Sequence, residues 1–217
     1  MSFDLSRLDP RVRTPMVSDS LDMIGIRNNV MDTSVRPLLE EMRAVGLAAT
    51  IEFTPAEDFD QRDPYGAVID FLDTLVKGEI AVVATGPSSH SAFWGELFSA
   101  AATGRGATGV VCDGPLRDIE AVKGLGFASF SAASRPIDYK GRMRVSSTRE
   151  SIVCAGVEVN PGDVVVADSD GIVVIPKLHI EAVFTAANTR AQSERTVLKE
   201  LLAGKSVRQV WDQYGVL

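Results

Sequence analysis

GELFSAAATGRGATGVVCDGPLRD, residues 95–118, is the stretch whose grammar decides the fold. Just ahead of it GEIAVVATG, residues 78–86, is apolar and rich enough in β-branched side chains for a buried strand. Residues 94–103 have the small and apolar composition of a helix. ATGVVCDG, residues 107–114, reads as a second strand, ending in the turn residues Asp113-Gly114-Pro115. Strand, loop, helix, strand, loop is a βαβ unit. Loops that leave the carboxyl ends of parallel strands lie along one edge of the sheet, so the loop carrying Glu96 converges with the loop carrying Arg117 and Asp118. The bare spacing Glu-x20-Arg-Asp says little, but one helix and one strand fill it, and that gives it a geometric meaning.

Outward from this unit, residues 18–24 read as a short helix capped by Ser18 or Asp19, and residues 45–53 as a strand. GAVIDFLDTLVK, residues 66–77, sets Val68, Phe71, Leu72 and Leu75 at helical spacing as core, with Gly78 closing the helix. Residues 151–176 read as short strands punctuated by Asn160-Pro161-Gly162-Asp163 and Asp168-Ser169-Asp170-Gly171. The second cluster lacks the ligand ladder and the twelfth-position Glu of a calcium loop, so it reads as a hairpin turn. Residues 177–202 fit a long helix and residues 206–214 another. In the latter, Val207, Val210, Trp211 and Tyr214 form a stripe for packing or a subunit contact.

Composition excludes several function classes. A net charge of −7 without a Lys/Arg cluster argues against a nucleic-acid ligand. The amino-terminal residues show no signal-peptide core and no bilayer-length apolar run, so no membrane association and a cytoplasmic address are expected. Cys112 and Cys154 each lie inside an apolar run and read as buried free thiols. Gly104-Arg105-Gly106-Ala107-Thr108-Gly109 matches G-x-G-x-x-G but follows a helix and precedes a strand, the reverse of the order dinucleotide binding requires. His90 and His179 have no partner at metal-ligand spacing, and His90 reads as a hydrogen-bonded loop residue. Ser88, Ser89 and Ser91 lack a nucleophile elbow.

TPMVSDSLDMIG (residues 14–25), Pro37-Leu38, Val45-Gly46-Leu47-Ala48-Ala49-Thr50, the 95–118 stretch, Ser134-Arg135-Pro136 and VEVNPGDVVVADSDGIVVIP (residues 157–176) together resemble the RraA-like family. That family includes divalent-metal-dependent 4-hydroxy-4-methyl-2-oxoglutarate aldolases and oxaloacetate decarboxylases. The resemblance implies a single layered β/β/α swivelling-type α/β domain over residues 1–217, with C-terminal helices from about residue 177, assembled as a homotrimer or hexamer.

It also implies a lyase that cleaves a 4-hydroxy-2-oxo acid to pyruvate by retro-aldol reaction and decarboxylates oxaloacetate. Asp118 is then the ligand of Mg²⁺ or Mn²⁺, Arg117 binds the small 2-oxo acid substrate and stabilises the enolate, and Glu96 positions a water for proton transfer. Gly95 and the backbone N–H groups of Glu96, Leu97 and Phe98, at a helix start, supplement the anion site. Glu194 is the candidate for an acidic residue supplied by a neighbouring subunit. A Schiff-base mechanism finds no Lys in the core motif. The alternative is a non-catalytic protein-binding regulator of ribonuclease activity, the role of other relatives.

Overall fold

The computed structural model describes residues 4–57, 62–86, 88 and 90–216. Helix α1 (Thr14–Asp22) precedes strands β1 (Arg36–Pro37) and β2 (Ala44–Pro55). Helices α2 (Gly66–Thr74), α3 (Glu96–Gly104) and α4 (Ile119–Leu125) then alternate with strands β3 (Glu79–Ala84), β4 (Gly109–Leu116) and β5 (Ala128–Ser134). Five short strands follow: β6 (Met143–Thr148), β7 (Ile152–Cys154), β8 (Val157–Val159), β9 (Val164–Ala167) and β10 (Ile172–Ile175). Helices α5 (Ile180–Leu202) and α6 (Val207–Tyr214) complete the chain.

The main sheet has the order β1-β5-β4-β3-β2-β9-β10, with β6 also paired to β2, and β7 with β8 forms a small second sheet. Strands β2 to β5 are mutually parallel, whereas β9 joins β2 antiparallel. Uninterrupted apolar strands suit this placement because both faces are covered. Along β3, Ile80, Val82 and Ala84 face the β7–β8 hairpin with Cys154 and Val159, while Ala81 and Val83 face α2 and α3 through Phe71, Leu72 and Ala102. A third core joins β9 and β10 to α1 and α5 through Val166, Ile175, Val17, Leu21, Val183 and Phe184. Main sheet, small sheet and helices are the layers that the family resemblance implies. Both cysteines are buried and free.

Several boundaries differ from expectation for local physical reasons. Helix α1 begins at Thr14 rather than residue 18, with Pro15 in its first turn, where a missing N–H costs nothing. Its capping acceptor is neither Ser18 nor Asp19 but Asp168, which accepts from the Thr14 N–H at 2.9 Å and the Thr14 hydroxyl at 2.6 Å. Helix α2 ends at Thr74, and Gly78, at φ +86°, instead turns the chain into β3. Strand β4 does not stop at Asp113-Gly114-Pro115; a bulge between Cys112 and Pro115 carries it on to Leu116. The stripe on α6 is divided: Val210 is buried, whereas Val207 and Trp211 stay exposed. The turn between β9 and β10 is the expected hairpin.

Candidate active site

The carboxyl end of β4 is extended by a neighbour that the sequence does not advertise. Trp94 bridges Leu116 in parallel, the Trp94 carbonyl accepts the Arg117 N–H at 2.9 Å and the Pro115 carbonyl accepts the Phe93 N–H at 3.0 Å. Ser99, fully buried, accepts the Trp94 indole N–H at 3.0 Å and donates to the Gly95 carbonyl at 2.9 Å, which locks the strand-to-helix turn. Gly95 is thereby held against Arg117 and Asp118. A Cβ there would stand 2.6 Å from Asp118 Oδ2 and 3.0 Å from Arg117 Cγ.

Asp118 adopts a left-handed backbone, φ +57°, rare for a residue other than glycine. Its Oδ2 accepts the Glu96 N–H at 3.4 Å and lies 3.5 Å from Arg117 Nε. Arg117 and Asp118 therefore meet the backbone N–H of Glu96 at the start of α3, where the helix dipole favours negative charge; the exposed Glu96 is not among the residues that line the adjoining cleft. Leu97 is exposed and Phe98 half-buried, its ring edge-on to Trp94. Glu194 is not brought to this cluster within the chain: on α5 it accepts from Arg190, which also pairs with Asp19.

Two further polar residues join the cluster. Asp138 Oδ2 lies 3.2 Å from Arg117 Nη1 and accepts the Tyr65 hydroxyl. The hydrogen bond to Asp138 raises the Tyr65 phenol above its ordinary pKa, with burial adding to it. A cleft of about 240 Å³ opens over these groups, walled by Ile69, Phe93, Trp94, Leu97, Phe98 and Tyr139. Burial pushes the Tyr139 phenol well up. Tyr65 and Asp138 escape spacing rules because one starts α2 and the other follows β5. The loop after β5 does leave the same sheet edge, and Ala92 bridges Asp138 in parallel, so the edge rule applied to a third loop would have nominated Asp138.

The cluster fits a hard divalent cation held by few protein ligands. The missing Cβ of Gly95 leaves the space in front of Asp118 Oδ2 open, and the Asp118 side chain is 45% exposed. Among the described residues no group of three or more His, Cys, Asp or Glu side chains could enclose a metal, so the remaining ligands would be water and substrate oxygens.

Fold and site define a layered α/β protein that carries an Arg–Asp pair and a partly exposed carboxylate at its parallel-sheet edge. The RraA-like family, described as Aldolase/RraA, matches residues 14–174, and the chain belongs to that family. A Halalkalibacterium halodurans protein with the provisional name 4-hydroxy-4-methyl-2-oxoglutarate aldolase is 30% identical over 82% of this chain and 80% of its own length. Protein DlpA of Legionella pneumophila is 25% identical over 91% of this chain, which spans only 32% of DlpA. Among solved structures, Streptomyces coelicolor RraAS2, described as an unusual member of the RNase ES inhibitor RraA family, superposes with a TM-score of 0.80. It is 25% identical, over 88% of this chain and 94% of its own. No helix among the described residues is long and apolar enough to cross a membrane.

Proposed function

We propose that this chain is a divalent-metal-dependent lyase that cleaves a 4-hydroxy-2-oxo acid, of the 4-hydroxy-4-methyl-2-oxoglutarate type, to pyruvate, and that it also decarboxylates oxaloacetate. The observation that carries this reading is the meeting of Arg117, Asp118 and the start of α3 across Gly95. Asp118 would hold Mg²⁺ or Mn²⁺, which when bound supplies Lewis acidity toward the 2-oxo acid. Arg117 reaches the keto and carboxylate oxygens with its planar fork, while Asp138 and Tyr65 fix that fork from behind.

In the reaction, a water held by Glu96 takes the proton of the C4 hydroxyl. The C3–C4 bond breaks, its electron pair delocalises toward the C2 oxygen as the pyruvate enolate, and the C4 fragment leaves as a carbonyl compound. The enolate charge grows beside Arg117 and the amides of Glu96, Leu97 and Phe98, where preorganised donors have the most effect. Protonation at C3 completes pyruvate. We place the reaction in one domain spanning residues 1–217 of a cytoplasmic homotrimer or hexamer, with Glu194 of the partner subunit approaching the site.

The test follows pyruvate release from a panel of 4-hydroxy-2-oxo acids and from oxaloacetate, with and without chelator. Chelation should abolish turnover without unfolding the chain, since a site with one protein carboxylate contributes little to folding, and Mg²⁺ or Mn²⁺ should restore it. Asp118→Ala should reproduce the chelated state. No turnover on any substrate would favour the second reading, a protein-binding regulator of ribonuclease activity, which the likeness to RraAS2 supports.

A further inference from the structure

A second cavity, of about 680 Å³, lies beside the Arg117 cleft along the segment 91–93: Ser91 lines it, whereas Ala92 and Phe93 line the cleft. It sits at the carboxyl ends of β2, β3 and β5, with Thr54, Thr85 and Arg135 in its wall. Crevices at that edge of a parallel sheet are where α/β proteins bind small molecules.

Several polar side chains of the residues that line it have few partners among the described residues. Ser91 is fully buried, yet among the described residues its Oγ has no hydrogen-bond partner, and Thr54 Oγ1 is likewise buried and unpartnered among them. Buried hydroxyls without a partner are rare, and these two belong to residues of the cavity wall. Arg135 donates its backbone N–H to the Leu116 carbonyl, but its guanidinium forms no hydrogen bond or ion pair among the described residues. Arg142 donates its Nη1 to the carbonyls of Asp138 and Lys140, at 3.1 and 3.4 Å, and its Nε and Nη2 have no partner among the described residues. The acid in the lining, Glu52, is engaged by the Ser146 hydroxyl at 3.0 Å. His90 is exposed at the rim: its backbone N–H donates to Ser88 Oγ at 3.4 Å, and its imidazole has no partner among the described residues. Unsatisfied donors therefore dominate the cavity.

We infer that this cavity is a second binding site, for the carboxylate or phosphate group of a small anionic molecule. Arg135 is the forked anchor, Arg142 a second cation, and the Ser91 and Thr54 hydroxyls are donors. A guanidinium fork pairs with two oxygens of such a group, and hydroxyls can donate to a third. The cavity exceeds a bare phosphate or carboxylate in size, so the anion is one end of a larger molecule. None of Glu96, Arg117 or Asp118 is among its walls, so the site stands whether or not the lyase reading does.

Calorimetric titration of the full chain with inorganic phosphate and, separately, with malonate tests this. One of the two should bind, and which one does distinguishes a phosphoryl from a carboxylate ligand. Arg117→Ala, which removes the anion site proposed beside Asp118, should keep binding at the second cavity, and adding Arg135→Ala to it should weaken that binding by about ten- to a hundred-fold, the usual effect of losing a charge-assisted hydrogen bond. Ser91→Ala should leave the melting temperature of the anion-free protein unchanged and shrink the rise that the anion produces. Absence of binding by both anions at millimolar concentration would overturn the inference. So would binding that is lost in Arg117→Ala and kept in Arg135→Ala, or a Ser91→Ala protein that melts lower without anion and gains the full rise with it.

Discussion

At the scale of single residues, Gly95 sets the geometry of the proposed site through what it lacks. Its φ of −164° is extended backbone that alanine adopts freely, so Gly95→Ala carries no backbone strain. The added methyl would instead meet Asp118 Oδ2 at 2.6 Å and displace the carboxylate or the Arg117 stem. Displacements near 1 Å cost up to about a hundred-fold in rate, so Gly95→Ala should keep its melting temperature and lose at least about ten-fold in kcat. A fully active Gly95→Ala enzyme would remove this contact from the site. Arg117→Lys tests the other half. Lysine keeps the charge but cannot span two substrate oxygens or keep the contact with Asp138 in the same plane. Turnover should fall by about 10² to 10³ with a smaller change in KM. If Arg117 serves only its partly exposed ion pairs, the variant would show near-normal kcat and a stability change of about 0–1 kcal/mol.

At the scale of elements, Asp113 shows what a strand-to-turn reading misses. Its position in the β4 bulge lets it accept from the Thr85 N–H at 2.7 Å, the Thr85 hydroxyl at 2.8 Å and the Ala155 N–H at 3.3 Å, tying β3 and β4 to the β7–β8 hairpin. Desolvation raises its carboxyl pKa despite these donors. A carboxyl raised in the folded state binds its proton more tightly there than in the unfolded chain. Its contribution to stability is therefore fully present below the unfolded value and declines as pH rises toward the folded one. Asp113→Ala should accordingly destabilise more near pH 4 than near pH 7 in urea titrations, and a loss that grows with pH would contradict this. The βαβ alternation and the convergence of the loop before α3 with the loop carrying Arg117 and Asp118 were legible in the sequence because hydrophobic period and loop position are local signals. The cap of α1 by Asp168 and the backing of Arg117 by Asp138 and Tyr65 were not, because each joins residues far apart in the chain through tertiary packing alone.

At the scale of the whole molecule, large apolar side chains remain exposed along the C-terminal region, with Leu178 at 93%, Leu202 at 79% and Trp211 at 46%, and Leu97 stands at 77% on the rim of the Arg117 cleft. Surfaces of this kind fit a closed homo-oligomer in which one subunit's tail approaches another's site. Light scattering should then show no monomer at micromolar concentration, and a stable, active monomer would reject the assembly. A sharper measurement asks whether the site is shared. Glu194→Gln removes the tail acid, and Asp118→Ala removes the carboxylate beside Arg117. Each variant alone should be nearly inactive while keeping the oligomeric mass. In trimers reassembled from equal amounts of the two, a site draws an intact Asp118 from one chain in half the cases and an intact Glu194 from its neighbour in half, so about a quarter of wild-type activity should return. If Glu194 acted within its own chain, or not at all, mixing would yield no more than the average of the two separate variants. Recovery in mixed trimers therefore separates a site built between subunits from one complete in a single chain, a distinction that exposed apolar surface alone does not make.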